Sequence, residues 1–266
     1  LVLDQLPHAS VVGLLRGVAE DFNLEALSPQ IQEGVSCEVC HRMEPTASPG
    51  PVAGAAFELK PGKTFFGRLN EPAPNAAHRS EGSQFLGSSE SCGTCHDVIH
   101  KSRRIEKTFA EWAGSAYARR GTQCQDCHML RYSGQAAVDG PFRDTLRRHN
   151  FPGVFTPLSP FPNRGYQEEE SRRFLRTAAR LSVNFPGAIL AGADLGLEVK
   201  VKNSGVGHNF PAASVRQVWL EVSVLDGARK PIFLSGSLDA NGDLMDPLNE
   251  LEPGADPWLV QFSESQ

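Results

Sequence analysis

Apolar and polar residues follow two different patterns along the chain, and the change falls near residue 183. Before this point the regular patterns are short: residues 9–20, 105–119 and 168–181 have the spacing of amphipathic helices. In the third segment an acidic run, favourable at a helix N-terminus, precedes arginines that suit a C-terminus. Loops rich in proline and glycine separate the three predicted helices.

Beyond residue 183 the pattern is the alternation typical of β-strands. The predicted strands are 195–202, 215–225, 231–234 and 258–262. An immunoglobulin-like β-sandwich has about seven strands. The pattern predicts only four or five before residue 266, so we expect the sandwich to be incomplete within this sequence. The pattern therefore predicts an α+β protein with a helical and loop domain over residues 1–182 and a β-sandwich domain over residues 183–266.

The 266 residues contain no apolar run of about 18 or more, so no segment is predicted to span a membrane. No basic stretch followed by an apolar one precedes the first predicted helix, and we expect any export signal to have been removed. Hydropathy alone therefore does not predict where in the cell the protein is located.

The net charge of −5 is unevenly distributed. Residues 101–180 carry 15 basic and 8 acidic residues, whereas 1–100 carry 6 and 12 and 181–266 carry 5 and 11. The basic residues of the middle segment are single or paired arginines and lysines without interleaved aromatic residues. This pattern does not predict nucleic-acid binding.

All six cysteines lie in three copies of one pattern: Cys37-Glu-Val-Cys40-His41, Cys92-Gly-Thr-Cys95-His96 and Cys124-Gln-Asp-Cys127-His128. Cys-x-x-Cys-His is the attachment motif of c-type haem. The two thiols bond to the two vinyl groups of the porphyrin, and the histidine binds the iron from one side, all from one short helical turn. The sequence therefore predicts three covalently bound haems with the proximal ligands His41, His96 and His128.

Three other kinds of cysteine site explain the pattern less well. A disulfide framework gives no reason for a histidine after every second cysteine. In a zinc ribbon the cysteine pairs are about 15–20 residues apart, but Cys40 and Cys92 are much farther apart. A thioredoxin-like motif occurs once, near a βαβ pattern, which this chain lacks.

Haem attachment also bears on location and charge. Covalent c-type haem is assembled outside the cytoplasm, which predicts a periplasmic or cell-surface protein. Three haems bring six propionates, and the arginines of residues 101–180 are their expected partners.

Five further histidines are candidates for the distal side of the three irons. His149 and His208 rank first because each stands in a loop and is followed by Asn-Phe-Pro, which offers an aromatic ring beside the imidazole. His78 ranks next, and His100 and His8 follow. Met43 and Met129 are thioether alternatives, although each lies within two residues of a proximal histidine.

The number of distal histidines decides between functions. Enough candidates exist for every iron to have two histidine ligands, which leaves no site for a substrate and predicts electron transfer. The alternatives are a multihaem reductase with one open haem, and a subunit whose haems conduct electrons through a larger assembly. Expected partners are redox proteins or other cytochromes.

Several segments resemble the periplasmic multihaem c-type cytochromes that combine a haem-bearing helical and loop domain with a C-terminal β-sandwich. They are Glu33-Gly-Val-Ser-Cys37-Glu-Val-Cys40-His41, Cys92-Gly-Thr-Cys95-His96-Asp-Val, and Thr108-Phe-Ala-Glu-Trp112-Ala-Gly-Ser-Ala-Tyr117 continuing into the third motif. The loop Val206-Gly-His208-Asn-Phe-Pro211 is also similar to that family, in which such a histidine is a distal ligand reaching from the β domain. The resemblance covers about Glu33 to Ala228 and implies electron transfer in respiratory or extracellular chains. We therefore expect His208 to bind a haem of the N-terminal domain.

Overall fold

The structure is a computed structural model that describes residues 35–46, 54, 56–100, 102–153, 164–190, 192–212, 217–247, 254 and 256–262, with only the backbone of His100. The helix predicted at 9–20 and the histidine at position 8 lie outside these residues. Among the described residues no helix is both long enough and apolar enough to cross a membrane.

All the helices described are short except the last. They are α1 (Cys37–Arg42), α2 (Ser89–Gly93), α3 (Thr108–Ala113), α4 (Ala116–Arg119), α5 (Cys124–His128) and α6 (Arg164–Leu175). The strands of the first half are β1 (Met43–Pro45), β2 (Phe57–Leu59), β3 (Thr64–Gly67), β4 (Arg79–Gly82), β5 (Val98–His100), β6 (Arg103–Glu106), β7 (Arg131–Gln135) and β8 (Phe142–Arg147). Those of the second half are β9 (Ala179–Asn184), β10 (Glu198–Asn203), β11 (Val218–Leu220), β12 (Val222–Leu225), β13 (Pro231–Ser235) and β14 (Val260–Phe262).

The strands form separate two-stranded sheets. The antiparallel pairs are β1–β2, β5–β6, β7–β8, β9–β10, β11–β14 and β12–β13. The pair β3–β4 is parallel, with Thr64 opposite Arg79. In the described part of the chain the strands after residue 178 thus make three pairs, and the sandwich stays a prediction.

The chain forms two compact units. The first unit holds the described residues up to Cys95 together with Gln123–Phe151, and the second holds His96–Thr122 together with the described residues from Pro152 onward. This division does not follow the change of pattern near residue 183, because α3 and α4 belong to the same unit as the β-rich part of the chain. All six cysteines lie in the first unit.

Few apolar side chains are buried. Within the described residues they are Met43, Leu146, Ala178 and Leu244. The buried polar side chains are more numerous, namely Ser83, Ser89, Ser91, Thr94, Asp97, Gln125, Ser171, Ser235 and Asp246. Because burial of apolar surface is the main favourable contribution to folding, side-chain packing alone contributes little stability to the described part of the chain.

The single helix predicted at 105–119 is wrong. The segment begins in strand β6 and continues as α3 and α4, with a break at Gly114 and Ser115. The hydroxyl of Ser115 accepts hydrogen bonds from the backbone N–H groups of Tyr117 at 3.1 Å and Ala118 at 3.3 Å. This N-cap starts a second helix where the periodicity predicted continuation.

The helix predicted at 168–181 begins and ends earlier, as α6. Its acidic run lies inside the helix, because Arg164 pairs with Glu168 at 2.7 Å and Arg173 pairs with Glu170 at 2.8 Å. Pairs at these spacings stabilise a helix from within, which explains the shift. The chain then turns and enters β9, a strand that the pattern did not predict.

Strands β10, β13 and β14 overlap three of the predicted strands, which confirms them. The single strand predicted at 215–225 is instead two strands, β11 and β12, which pair with β14 and β13. The predicted turn at Asp226 joins β12 to β13, and its carboxylate accepts from the N–H groups of Ala228 at 2.8 Å and Lys230 at 2.9 Å. The local turn chemistry is that of an Asx turn.

Candidate functional site

Each Cys-x-x-Cys-His motif lies on or beside a short helix. Helices α1 and α5 begin at the first cysteine of their motif and include its histidine. Helix α2 ends at Gly93, so that Cys95 follows it in a turn. The predicted helical turn is present in the first and third motifs, and only in part in the second.

Polar hydrogen bonds hold the second and third motifs together. The hydroxyl of Ser89 on α2 donates to Gln123 Oε1 at 2.8 Å and accepts from the Cys124 N–H at 2.9 Å. The side chain of Gln125 on α5 donates to the Ser88 carbonyl oxygen at 2.6 Å. Since Ser89 and Gln125 are buried, these bonds fix α2 against α5.

The thiols of different motifs also interact. Cys92 and Cys124 share a hydrogen bond, which raises the pKa of Cys92, and burial raises it further. The same hydrogen bond, aided by Ser89, lowers the pKa of Cys124 to about 7. Burial and the neighbouring thiols of Cys95 and Cys37 raise the pKa of Cys40. The three attachment sites are therefore neighbours within the first unit.

None of the six cysteines forms a disulfide. Within the described residues, no three side chains of histidine, cysteine, aspartate or glutamate lie close enough to hold a metal ion together. A haem iron needs only two axial ligands from the protein, so a pair of facing histidines is enough to hold one.

The structure brings one proximal and one distal candidate together. The ring centres of His41 and His149 are 6.1 Å apart, and the ring planes are inclined by 30°. With a metal–nitrogen bond of about 2.0 Å and about 1.2 Å from nitrogen to ring centre, two imidazoles on opposite sides of one metal ion have centres about 6.4 Å apart. Partial burial and the neighbouring His41 ring lower the pKa of His149, which favours its neutral, metal-binding form.

Four candidate ligands share one local arrangement, in which Nδ1 contacts a backbone carbonyl oxygen. The partners are Phe66 at 2.6 Å for His41, Arg79 at 3.1 Å for His78, Arg147 at 3.0 Å for His149 and Asn209 at 2.8 Å for His208. A carbonyl oxygen can only accept, so the proton must lie on Nδ1 and Nε2 carries the lone pair. Metal-binding histidines are usually oriented by such a bond.

His78 lies at the start of β4 in the first unit. Its ring is 4.8 Å from that of Phe65, and Ser80 Oγ is 3.3 Å from its Nδ1. Both neighbours stand on the β3–β4 pair, in which they are opposite each other. The ring is therefore held in place, and within the described part of the chain it has no imidazole partner comparable to His149.

The remaining candidate ligands are the proximal histidines of the second and third motifs and the alternative distal residues. His128 is half-buried at the end of α5, and His96 is exposed, with its carbonyl oxygen bound to the N–H of Phe109 at 2.9 Å. Met43 is buried, and Thr94 Oγ1 is 3.7 Å from its sulfur. The side chains of His100 and His8 lie outside the described residues.

The loop that carries His208 is held by α3 and α4. Glu111 accepts from the Asn209 N–H at 3.0 Å with one oxygen and from Asn209 Nδ2 at 2.7 Å with the other. Tyr117 donates its hydroxyl to the Ser204 carbonyl oxygen at 3.2 Å. A Cβ atom at Gly207 would stand 3.4 Å from both Trp112 and Tyr117, so the loop lies directly on these two rings.

The Asn-Phe-Pro sequence that follows both distal candidates has different partners in its two copies. Phe151 makes an edge contact with His149 at 5.9 Å, which confirms the expected aromatic neighbour there. Both amide atoms of Asn150 are buried without a hydrogen-bond partner among the described residues, whereas Asn209 binds Glu111. A buried amide of this kind fits a site with a further polar ligand.

Several of the arginines expected to bind propionates have carboxylate partners in the protein. Arg104 pairs with Asp97 at 2.7 Å, and Arg147 pairs with Asp126 at 2.5 Å. Arg147 also donates to the carbonyl oxygens of Gln125 and Met129, next to the third motif. Part of the positive charge of residues 101–180 is thus balanced within the chain.

The sequence did not predict the residues that orient the candidate ligands. Glu111 stands in the Thr-Phe-Ala-Glu-Trp segment and has no role in the sequence-based predictions, because a single glutamate on a helix gives no signal of a distant partner. The pairs Ser89–Gln123 and Asn203–His208 were missed for the same reason. No family model, no curated protein and no solved structure matches the chain, so its function rests on this geometry.

Proposed function

We propose that the protein is an extracytoplasmic electron carrier with three covalently bound c-type haems. The thiol pairs Cys37/Cys40, Cys92/Cys95 and Cys124/Cys127 would hold them, with His41, His96 and His128 as proximal ligands. When bound, each haem supplies an iron that alternates between the ferric and ferrous states. The polypeptide orients the imidazoles and limits access of other ligands.

The His41–His149 pair is the observation that carries the proposal. The 6.1 Å separation of the ring centres is close to the separation of about 6.4 Å expected for two imidazoles on one metal ion. In both rings Nδ1 is bound to a backbone carbonyl oxygen. The lone pair of Nε2 is therefore available to a metal ion. An iron with two histidine ligands has no position for a substrate, which favours electron transfer over catalysis.

Other residues of the first unit support the same proposal. The six thiols are not in disulfides, and the thiols of neighbouring motifs interact. The amide of Asn150, next to His149, is buried and has no hydrogen-bond partner among the described residues, so it is available to a ligand outside the polypeptide. The small number of buried apolar side chains also suits a domain whose apolar contacts come largely from porphyrin rings.

The chemistry of attachment extends the proposal to location and partners. Because c-type haem is assembled outside the cytoplasm, we place the protein in the periplasm or at the cell surface. Its partners would be other cytochromes or redox proteins, either in solution or in a larger assembly.

The proposal is tested on protein produced in a host that matures c-type cytochromes. Intact-protein mass spectrometry is expected to show three covalent haems, and a Cys37→Ala/Cys40→Ala variant is expected to show two. The EPR spectrum of the oxidised protein should contain low-spin haem alone. A protein without covalent haem would overturn the proposal, and a high-spin haem in the unaltered protein would favour a reductase.

A further inference from the structure

We infer that Glu111 is the residue that positions His208, and that it holds this histidine opposite His96 on the iron of the second motif. The inference rests on the proposed function, since it concerns the distal side of one of the three haems. It goes beyond that proposal by assigning His208 to one iron and by giving a role to a carboxylate outside the ligand set.

The first step is the two-point contact of Glu111 with Asn209. One carboxylate oxygen accepts from the backbone N–H and the other from the side-chain amide of the residue that follows His208. A contact with both groups fixes the direction of the chain as well as its distance from α3. Asn203 adds a third point, because its amide donates to the His208 carbonyl oxygen at 2.7 Å.

The second step is that two glycines of the His208 loop, Gly205 and Gly207, pack closely against other parts of the chain. A Cβ at Gly205 would stand 1.9 Å from the carbonyl oxygen of Thr177, so this position allows no side chain. Gly207 lies against Trp112 and Tyr117 with room for at most a small group. The backbone on both sides of Val206 is thus fixed just before the histidine.

The third step links the loop to the second motif. The N–H of Phe109 donates to the His96 carbonyl oxygen at 2.9 Å. Phe109 and Glu111 are two residues apart on α3, so one short helix contacts both the proximal histidine and the segment that carries His208. These residues all belong to the second unit, whereas His41, His78, His128 and His149 belong to the first.

The fourth step is the orientation of the imidazole. His208 Nδ1 is 2.8 Å from the Asn209 carbonyl oxygen, so its proton is on Nδ1 and the lone pair is on Nε2. Asn209 therefore orients the ring through its carbonyl group while Glu111 holds Asn209 itself. A substitution of Glu111 is therefore expected to alter the orientation of the His208 imidazole through Asn209.

The test uses the holoprotein and the Glu111→Ala variant, with Glu168→Ala as the matched control. Glu168 is also a helical glutamate of the second unit, but its ion pair is with Arg164 on its own helix, 2.7 Å away. We expect Glu111→Ala to convert one of the three haems at least partly to high spin in the EPR spectrum, and Glu168→Ala to leave all three low-spin. Glu111→Gln keeps an oxygen for the Asn209 N–H and is expected to restore most of the low-spin signal.

The iron is identified with hydrogen peroxide, which bleaches an open haem faster than a six-coordinate one. After tryptic digestion the three haem peptides differ in mass, and the peptide with Cys92 and Cys95 should lose its porphyrin absorption first in Glu111→Ala. His208→Ala should bleach the same peptide, which tests the assignment even where Glu111→Ala fails to fold.

Three results separate the proposals. Unaltered protein without haem would overturn the proposed function itself. Three low-spin haems in both the unaltered protein and Glu111→Ala would leave the function standing and overturn the role of Glu111. Bleaching of the peptide with Cys37 or of that with Cys124 in His208→Ala would overturn the pairing of His208 with His96.

Discussion

The two His-Asn-Phe-Pro segments have the same sequence and different surroundings. At His149 the imidazole lies near a second imidazole, His41, and the amide of Asn150 has no partner among the described residues. At His208 the asparagine is bound at two points by Glu111. The shared sequence thus provides the same kind of candidate ligand, and the surrounding residues determine how it is held.

The orientation of each imidazole ring and the distant residue that lies near its segment therefore have separate causes. In both segments Nδ1 contacts a backbone carbonyl oxygen within two residues of the histidine, which is a local property. The partner of each imidazole depends on residues far away in sequence, such as His41 and Glu111. A sequence motif can therefore identify a ligand without identifying its metal.

The largest expected effect comes from removing both distal histidines. His149→Ala and His208→Ala should each make one haem high-spin, and the double variant should make two high-spin, because we propose that the two residues bind different irons. Quantitative EPR of the oxidised proteins measures the number. A double variant with a single high-spin haem would show that both histidines serve the same iron and would remove the distinction between the two segments.

A smaller effect is expected from the asparagines. Asn209→Leu removes a hydrogen bond to a carboxylate and should lower the free energy of unfolding by about 1–2 kcal/mol. Asn150→Leu removes no bond made within the described residues and should change it by less than about 0.5 kcal/mol. Urea unfolding of the holoproteins, followed by haem absorption, compares them. Equal losses would indicate that Asn150 has a partner as strong as Glu111, and a propionate is the first to consider.

An effect smaller than that of Asn209→Leu is expected for the aromatic neighbour of His149. Phe151→Leu removes the edge contact between the two rings and should cost about 0.5–1 kcal/mol, because the phenyl ring is 52% exposed. The same urea titration detects it, and the haems should stay low-spin. A high-spin signal would mean that the phenyl ring, rather than the carbonyl of Arg147, holds the imidazole in place.

The helical turns at Cys37 and Cys124 could be predicted from the motif alone, since the proposed attachment of both thiols to one haem, with the histidine at its iron, requires them. Strands with clear alternation, such as β10, were also predictable. The break between α3 and α4 was not, because the periodicity of 105–119 continues through Ser115 while its hydroxyl caps a new helix. The early start of α6 depends on ion pairs inside the helix, which compete with the capping preference of acidic residues.

For the candidate site, residue types were predictable and pairings were not. The motif identifies His41, and the loop context identifies His149, but their proximity requires strands β7 and β8 to bring residue 149 back toward the first motif. The bond from His41 to the Phe66 carbonyl oxygen involves a backbone atom and leaves no trace in the sequence. Glu111 became visible only through its contact with Asn209.

The inclination of 30° between the His41 and His149 rings bears on the electronic structure of any iron held between them. Each imidazole donates π-electron density along the normal to its plane, and two planes that are nearly parallel act on the same iron d orbital. An iron held there would have its two dπ orbitals split in energy, with the unpaired electron of the ferric state in one of them. The backbone carbonyl groups of Phe66 and Arg147, which orient the two imidazoles, would then set the direction of that orbital and so the electronic asymmetry of the haem.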